Sequence, residues 1–370
     1  MSGVGHLPEE AYGAALLGLP SMNPRTLRLL LDGSPPSLVW SDLVSNRQVN
    51  RLTSLHKLSA TAKSNWRAAA RSTDVDELWC RCTAAGVTVL LRGAEGYPAR
   101  LAGDAHAPAV LFAAGDVSVL EGPTATVVGT RRCTGYGAEV AWTLGRGLAA
   151  AGVVVVSGLA AGIDAAAHGG ALSAEAGPPA GVGGSGIDVP YPAGNAGLWR
   201  AVTRTGVMLS EAPLGAAPTA WRFPERNRIL ASLGDVVVVV ESHRVGGSMH
   251  TVEAAIARGK PVMAVPGPVT SPASEGCNAL LVDGCAPARD VEDMLARIAL
   301  ERPAPPAPDP EEEPEPTGDD RVLWAVDPTP TMFETVLGRT GMNPVEAAAA
   351  LGRLEAAGRV LRGAGWWERR

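Results

Sequence analysis

Residues 124–168 read TATVVGTRRCTGYGAEVAWTLGRGLAAAGVVVVSGLAAGIDAAAH, and the fold class turns on them. Thr126-Val127-Val128 is a short apolar run of strand type. It passes through Gly129-Thr130-Arg131-Arg132 into a turn containing Gly135 and Gly137. Residues 138–150, rich in Ala and Leu and free of Pro, predict a helix that Gly152 stops, and residues 153–156 predict a second buried strand. Strand, helix and strand with short connections form a right-handed βαβ unit with parallel strands. The second strand also leaves through a Gly-rich turn, Ser157-Gly158-Leu159-Ala160-Ala161-Gly162. Two such turns at the same end of adjacent parallel strands line a crevice with backbone N–H groups and helix N-termini, an arrangement suited to phosphate. Arg131 and Arg132 add fixed positive charge. The spacing Gly-x5-Gly-x-Gly is not the G-x-G-x-x-G fingerprint, and no G-x4-G-K-[ST] occurs. Spacing alone therefore leaves open whether the glycines serve a ligand or only close tight turns.

Further strand candidates extend this unit. Residues 179–183 end in Gly184-Ser185-Gly186, residues 207–209 in Ser210-Glu211-Ala212-Pro213, and residues 261–265 in Pro266-Gly267-Pro268. Residues 236–240 are an unbroken Val run, which marks a strand buried on both faces. Their turn residues recur at one end, so the carboxyl ends of a mostly parallel sheet share one edge, where open α/β sheets bind ligands. Upstream, residues 86–91 and 110–112 read as strands that extend this Rossmann-like sheet. Residues 1–78 read as a small helical domain, with Asn23-Pro24 as an N-cap followed by Pro at N1. Residues 79–300 form the extended Rossmann-like domain.

The chain has 370 residues, 46% of them hydrophobic, and a net charge of −6. Residues 301–320, ERPAPPAPDPEEEPEPTGDD, carry a net −7, so the rest sums to +1. This acidic, Pro-rich stretch reads as a disordered linker. Acidity is thus concentrated outside the sheet, and overall charge does not exclude a nucleic-acid partner. Residues 321–370 have a helix at 345–357 and a hairpin ending in Trp366 and Trp367. This is a winged-helix-like pattern that fits DNA binding, protein contact or regulation. Five cysteines without a C-x-x-C pair indicate free thiols in a reducing cytoplasm. No apolar run is long enough for a membrane span, and the first residues lack a secretory pattern.

Phe223-Pro224-Glu225-Arg226-Asn227-Arg228 is the most unusual polar stretch, placed just before an expected helix start near Ile229. Its arginine forks suit phosphate oxygens, or else pair with Glu211 or Glu225 in a surface turn. Gly246-Gly247-Ser248 precedes another helix and is either a phosphate nest or an N-cap turn. Ser157, Asp164 and His168 do not make a nucleophile elbow. Asp164 and His168 by themselves do not make a metal cage. No catalytic residue, metal or cofactor is expected.

The chain resembles the DprA/Smf family of bacterial DNA-processing proteins. The resemblance is carried by VVGTRRCTGYG (127–137), VVSGLAAGIDAAAHGGAL (155–172), GSGIDVPYP (184–192), LSEAP (209–213), FPERNRILASL (223–233), GGSMHTVEAA (246–255) and VPG (265–267). It implies a non-enzymatic homodimer that binds single-stranded DNA at the carboxyl edge of the sheet and helps load the RecA recombinase during natural transformation. The residues expected to meet DNA are Gly129, Thr130, Arg131, Arg132, Ser157, Gly158, Gly184, Gly186, Arg226, Asn227, Arg228, Gly247 and Ser248. Many members have Lys after the Tyr-Pro pair where this chain has Ala193, leaving Arg132 or Arg200 to substitute. The rival reading is a nucleotide-processing enzyme of the phosphoribohydrolase type. Its P-G-G-x-G-T-x-x-E motif is poorly matched by residues 245–253, which makes Glu253 a weak catalytic candidate.

Overall fold

The computed structural model describes residues 7–45, 59–174, 176–302 and 318–370. The chain divides into two compact units, Met1–Pro303 and Ala304–Arg370. The first is built on nine strands: β1 (Thr88–Leu91), β2 (Val110–Gly115), β3 (Thr124–Val128), β4 (Val154–Ser157), β5 (Pro179–Gly183), β6 (Val207–Ser210), β7 (Val236–Val239), β8 (Val262–Ala264) and β9 (Ala286–Pro287). Across the sheet they run β1-β2-β6-β5-β4-β3-β7-β8-β9. Neighbours from β6 to β9 are parallel. β2 is antiparallel to both β1 and β6. The expected mostly parallel sheet is present, with an antiparallel edge and a two-residue ninth strand too short to show in the hydrophobic pattern.

The βαβ unit pairs Thr124 with Val154 and Thr126 with Val156. Its helix spans Gly135–Ala150 and so begins at Gly135 rather than at residue 138. The cause is a side-chain cap: the Thr134 hydroxyl accepts the Gly137 N–H at 3.1 Å. Consecutive valines of β4 serve both faces of the sheet. Val154 and Val156 join a cluster with Ile229 and Leu230, while Val155 packs with Leu144, Leu148 and Ile163. Each such burial contributes about 1.5–3 kcal/mol relative to exposure, which makes this register hard to shift.

The chain lays down β3, β4, β5 and β6 to one side, then returns to place β7, β8 and β9 on the other side of β3. This reversal is a topological switch point, where the connections leaving β3 and β7 diverge and open a crevice. The helices Glu9–Leu17, Pro24–Leu31, Pro36–Ser45, Ala60–Ser72 and Val75–Ala84 precede the sheet. Asn23 caps the second of them, accepting the Thr26 N–H at 2.9 Å. Leu16, Trp40, Leu43 and Trp66 share one apolar cluster with Val89, Phe112 and Met208 of the sheet. The helices and the sheet edge are therefore buried against each other within one unit.

The second unit contains the helices Gly318–Ala325, Phe333–Thr340 and Pro344–Ala356. Its strands β10 (Thr331–Met332), β11 (Val360–Arg362) and β12 (Trp366–Arg369) run in the order β10-β12-β11. Val322, Val336, Leu351, Leu354 and Val360 form its core. Helices followed by a hairpin give the winged-helix arrangement. Both ends of the stretch expected to be a linker, residues 301–320, fall in helices. Glu301 closes the helix Val291–Glu301, and Gly318 opens the next. Residues 303–317 of that stretch lie outside the described residues. No helix among the described residues is long and apolar enough to cross a membrane.

Candidate functional site

The connections after β3, β4 and β7, together with the helix Arg222–Leu233, enclose a crevice of ≈ 760 Å³ at the switch point. Gly129, Thr130, Arg131, Arg132, Arg226, Asn227, Gly247 and Ser248 line it, whereas Ser157, Gly158, Gly184, Gly186 and Arg228 do not.

The turn after β3 is held from β7. The Thr130 N–H donates to the Glu241 carbonyl at 2.7 Å. The Thr134 N–H and hydroxyl donate to the Glu241 carboxylate at 2.8 and 2.6 Å. Glu241 is buried, and a Cβ on Gly137 would fall 2.2 Å from its Oε2. The positive end of the helix Gly135–Ala150 is thus already met by a carboxylate of the chain itself. This corrects the expectation that a ligand phosphate occupies that helix N-terminus. The Arg132 N–H is also committed, to Thr130 Oγ1 at 3.2 Å.

The turn after β4 follows the same plan. Asp164 accepts the N–H groups of Gly158 and Ala160 at 3.2 and 3.4 Å. Burial raises its carboxyl above the usual range, against the opposing charge of Arg226. Gly158 is therefore not a free phosphate donor. Ser157 is likewise structural, its hydroxyl donating to the Val127 carbonyl at 2.6 Å and locking β4 to β3. Leu159 is buried in the left-handed region at φ 55. Its carbonyl accepts from Asn195 Nδ2 at 2.9 Å. Gly162, at φ +81, lets the two turns touch, since a Cβ there would lie 2.4 Å from the Thr130 carbonyl oxygen.

The helix carrying Arg226 begins at Arg222, earlier than the sequence implied. Residues 223, 226 and 227 then share a helical face, and residue 228 is rotated away from it. Arg228 donates through Nη2 to both Glu211 oxygens at 2.7 and 2.6 Å. This ion pair removes it from the expected phosphate ligands. Arg226 is only 7% exposed and donates to the carbonyls of Gly158 and Val182. Burial pulls its guanidinium down to about 10, so it stays charged at neutral pH beneath the crevice. Gly158 matters here because a Cβ on it would lie 2.3 Å from Arg226 Nη1. Asn227 Nδ2 donates to the Gly247 carbonyl at 3.3 Å, and the Ser248 hydroxyl donates to Ser242 Oγ at 2.7 Å, fixing the turn after β7.

Two aromatic residues complete the wall, and the reading of charge and glycine alone missed them. The Arg131 guanidinium lies 5.4 Å from the Phe223 ring centroid. Tyr191 and Phe223 have ring centroids 5.3 Å apart. A Cβ on Gly184 would approach the Phe223 ring to 2.8 Å, and one on Gly186 would approach the Pro213 carbonyl oxygen to 2.8 Å. These glycines permit close approach and do not contact the crevice. The signal was present, since the chain has only three Phe and four Tyr. Arg131, Arg132 and Ala193 are exposed, and Arg132 lines the crevice whereas Arg200 does not. Glu253 is exposed beside His250, outside the lining, and His168 is fully buried with Nε2 3.1 Å from the Ala180 carbonyl oxygen.

A crevice at a switch point, floored by a buried arginine and walled by exposed arginines and aromatic rings, sits at the carboxyl edge of a protein with a Rossmann-like, mostly parallel sheet. The chain belongs to the DNA recombination-mediator protein A family, whose model matches residues 88–299, and residues 303–365 match the DprA winged helix domain. A putative DNA processing protein DprA of Mycobacterium tuberculosis is 44% identical over 203 residues, or 54% of this chain and 52% of that protein. The chain thus spans about half the length of that curated relative. DNA processing protein A of Streptococcus pneumoniae has a solved structure with TM-score 0.66 and 29% identity, covering 78% of this chain and 98% of that one. The structure of DNA processing protein A from Helicobacter pylori, described for its single-stranded DNA binding mode, has TM-score 0.52 and 28% identity, covering 59% and 97%.

Proposed function

We propose that this chain is a single-stranded-DNA-binding recombination mediator. In this reading a backbone phosphate is held at Arg131 and Arg132, over the buried charge of Arg226, and a base stacks on Phe223 and Tyr191. The observation that carries it is the contact of the Arg131 guanidinium with the Phe223 ring inside the crevice. A cation beside an aromatic face serves phosphate and base together and tolerates any base. A duplex keeps its base faces stacked, so the platform favours an unpaired strand. Membership of the family supports the rest of the reading: a cytoplasmic homodimer that protects incoming DNA and helps load RecA during natural transformation.

Mobility shifts with single-stranded and double-stranded DNA of matched length, at one salt concentration, test the proposal. The expected result is preference for the single strand with little dependence on sequence. Equal affinity for the duplex refutes the crevice as the site. Release of free base from nucleoside monophosphates would instead favour the phosphoribohydrolase reading.

A further inference from the structure

Trp221 is 48% exposed immediately before the helix Arg222–Leu233. The Arg222 guanidinium lies 5.3 Å from its ring centroid. That guanidinium is anchored in turn, donating through Nη1 to the Ala217 carbonyl at 2.9 Å. An anchored cation over the ring holds the indole in one pose, which lowers the entropy lost when something stacks on it. Two residues further on, Phe223 bears Arg131 in the same relation. One short segment therefore presents two arginine–aromatic pairs on different walls. Ala220 and Phe223 line the crevice, Trp221 and Arg222 line a separate cleft beside Gly184, and Arg226 borders both.

We propose that Trp221 and Arg222 form a second base-stacking platform, reached by a single strand that leaves the crevice over the ridge of residues 220–223. This inference rests on the single-strand reading above and extends it. The chemistry repeats that of the crevice wall, a ring for the base and a planar guanidinium for base or phosphate. A strand that continues past the first platform meets the same pairing of ring and guanidinium at a cleft that Glu225 and the Arg228-paired Glu211 also line. An exposed Trp also suits a protein interface, and the two occupants differ in how binding responds to strand length.

The test uses the full chain with oligothymidylates of about 4 and about 16 nucleotides, lengths that bracket known single-strand site sizes. Affinities are measured at one salt concentration for wild type, Trp221→Ala, Arg222→Ala and Arg131→Ala, with sedimentation to follow oligomeric state. The wild type should gain affinity on lengthening, and Trp221→Ala should lose about 5- to 100-fold of that gain. Arg222→Ala should lose a smaller part. Equal losses at both lengths would make Trp221 part of the crevice. No loss at either length would remove it from the DNA path, and a changed oligomeric state with length dependence intact would make it a protein contact. Each of these overturns the proposal. If Arg131→Ala weakens both lengths while Trp221→Ala alters neither, the crevice reading stands and the second platform falls. If Arg131→Ala alters neither, the crevice reading falls and the platform falls with it.

Discussion

Replacing Arg226 by Ala should unfold the protein more than it frees DNA. Arg226 is 7% exposed and ties the turn after β4 to β5 by donating to the Gly158 and Val182 carbonyls. Asp164, itself buried, loses in the variant the opposing charge of Arg226 that works against the rise of its carboxyl on burial. Removing one partner of a buried charged arrangement costs about 3–5 kcal/mol, because the groups left behind stay desolvated. Against a total stability of about 5–15 kcal/mol, this is from about a fifth to all of what holds the fold. Urea denaturation of the full chain should show the midpoint lowered by on the order of 1 M, with little change in slope. Arg226→Lys keeps the charge but lacks the planar fork, so it should recover only part of the loss. A stability change below about 1 kcal/mol together with a tenfold or larger loss of DNA affinity would refute the argument and make Arg226 a direct DNA ligand.

Arg131→Ala should show the opposite pattern. Its exposed guanidinium should cost about ten- to a hundred-fold in single-strand affinity. The slope of log affinity against log salt should shrink by about 0.7, and the melting temperature should barely move. Gly184→Ala should push the Phe223 ring, which a Cβ would approach to 2.8 Å, and lower affinity by up to about tenfold. Combined with Phe223→Ala it should add nothing further, since both act through one ring. His168 sets an acid limit, because burial pushes its imidazole down from 6.5 to about 4. The unfolded chain takes up this proton first, so the contribution is complete above pH 6.5. It is lost as pH falls toward 4, by about 3 kcal/mol in all. Denaturation midpoints measured across that window should flatten in His168→Gln, and an unchanged slope would discard His168 as the source.

Much of the sheet was legible because its strands are buried on both faces and therefore read as continuous apolar runs. The Val run of β7 and the β3–β4 unit could be placed from residues alone. β9 could not, since two exposed residues carry no hydrophobic pattern. Helix starts were the weak point. The Thr134 cap and the early start at Arg222 are local hydrogen-bonding choices that glycine and proline counting does not register. The second error decided the site, because moving the helix start rotates Arg228 onto Glu211 and brings Phe223 into the wall.

Spacing leaves open whether the glycine-rich turns cradle a phosphate or only close tightly, and in the turns after β3 and β4 the chain's own carboxylates take backbone N–H groups. Glu241 takes the N-terminal groups of the helix Gly135–Ala150, and Asp164 takes two N–H groups of the turn after β4. Neither assignment follows from spacing. Glu241 lies 107 residues from Thr134 in sequence and meets it because β7 is the parallel neighbour of β3. Once these resident anions are in place, the backbone offers less to a phosphate than its glycines imply. Selectivity for an anion must then come from side chains on the crevice wall. In the proposed reading the exposed pair Arg131 and Arg132 supplies it, and Phe223 and Tyr191 supply a surface that a bare phosphate would not need. A site built only for phosphate would have kept its N–H groups free. Here the turns after β3 and β4 commit such groups to Glu241 and Asp164, and the wall presents cations and rings, in the proposed reading the combination that a strand carrying both phosphates and bases requires.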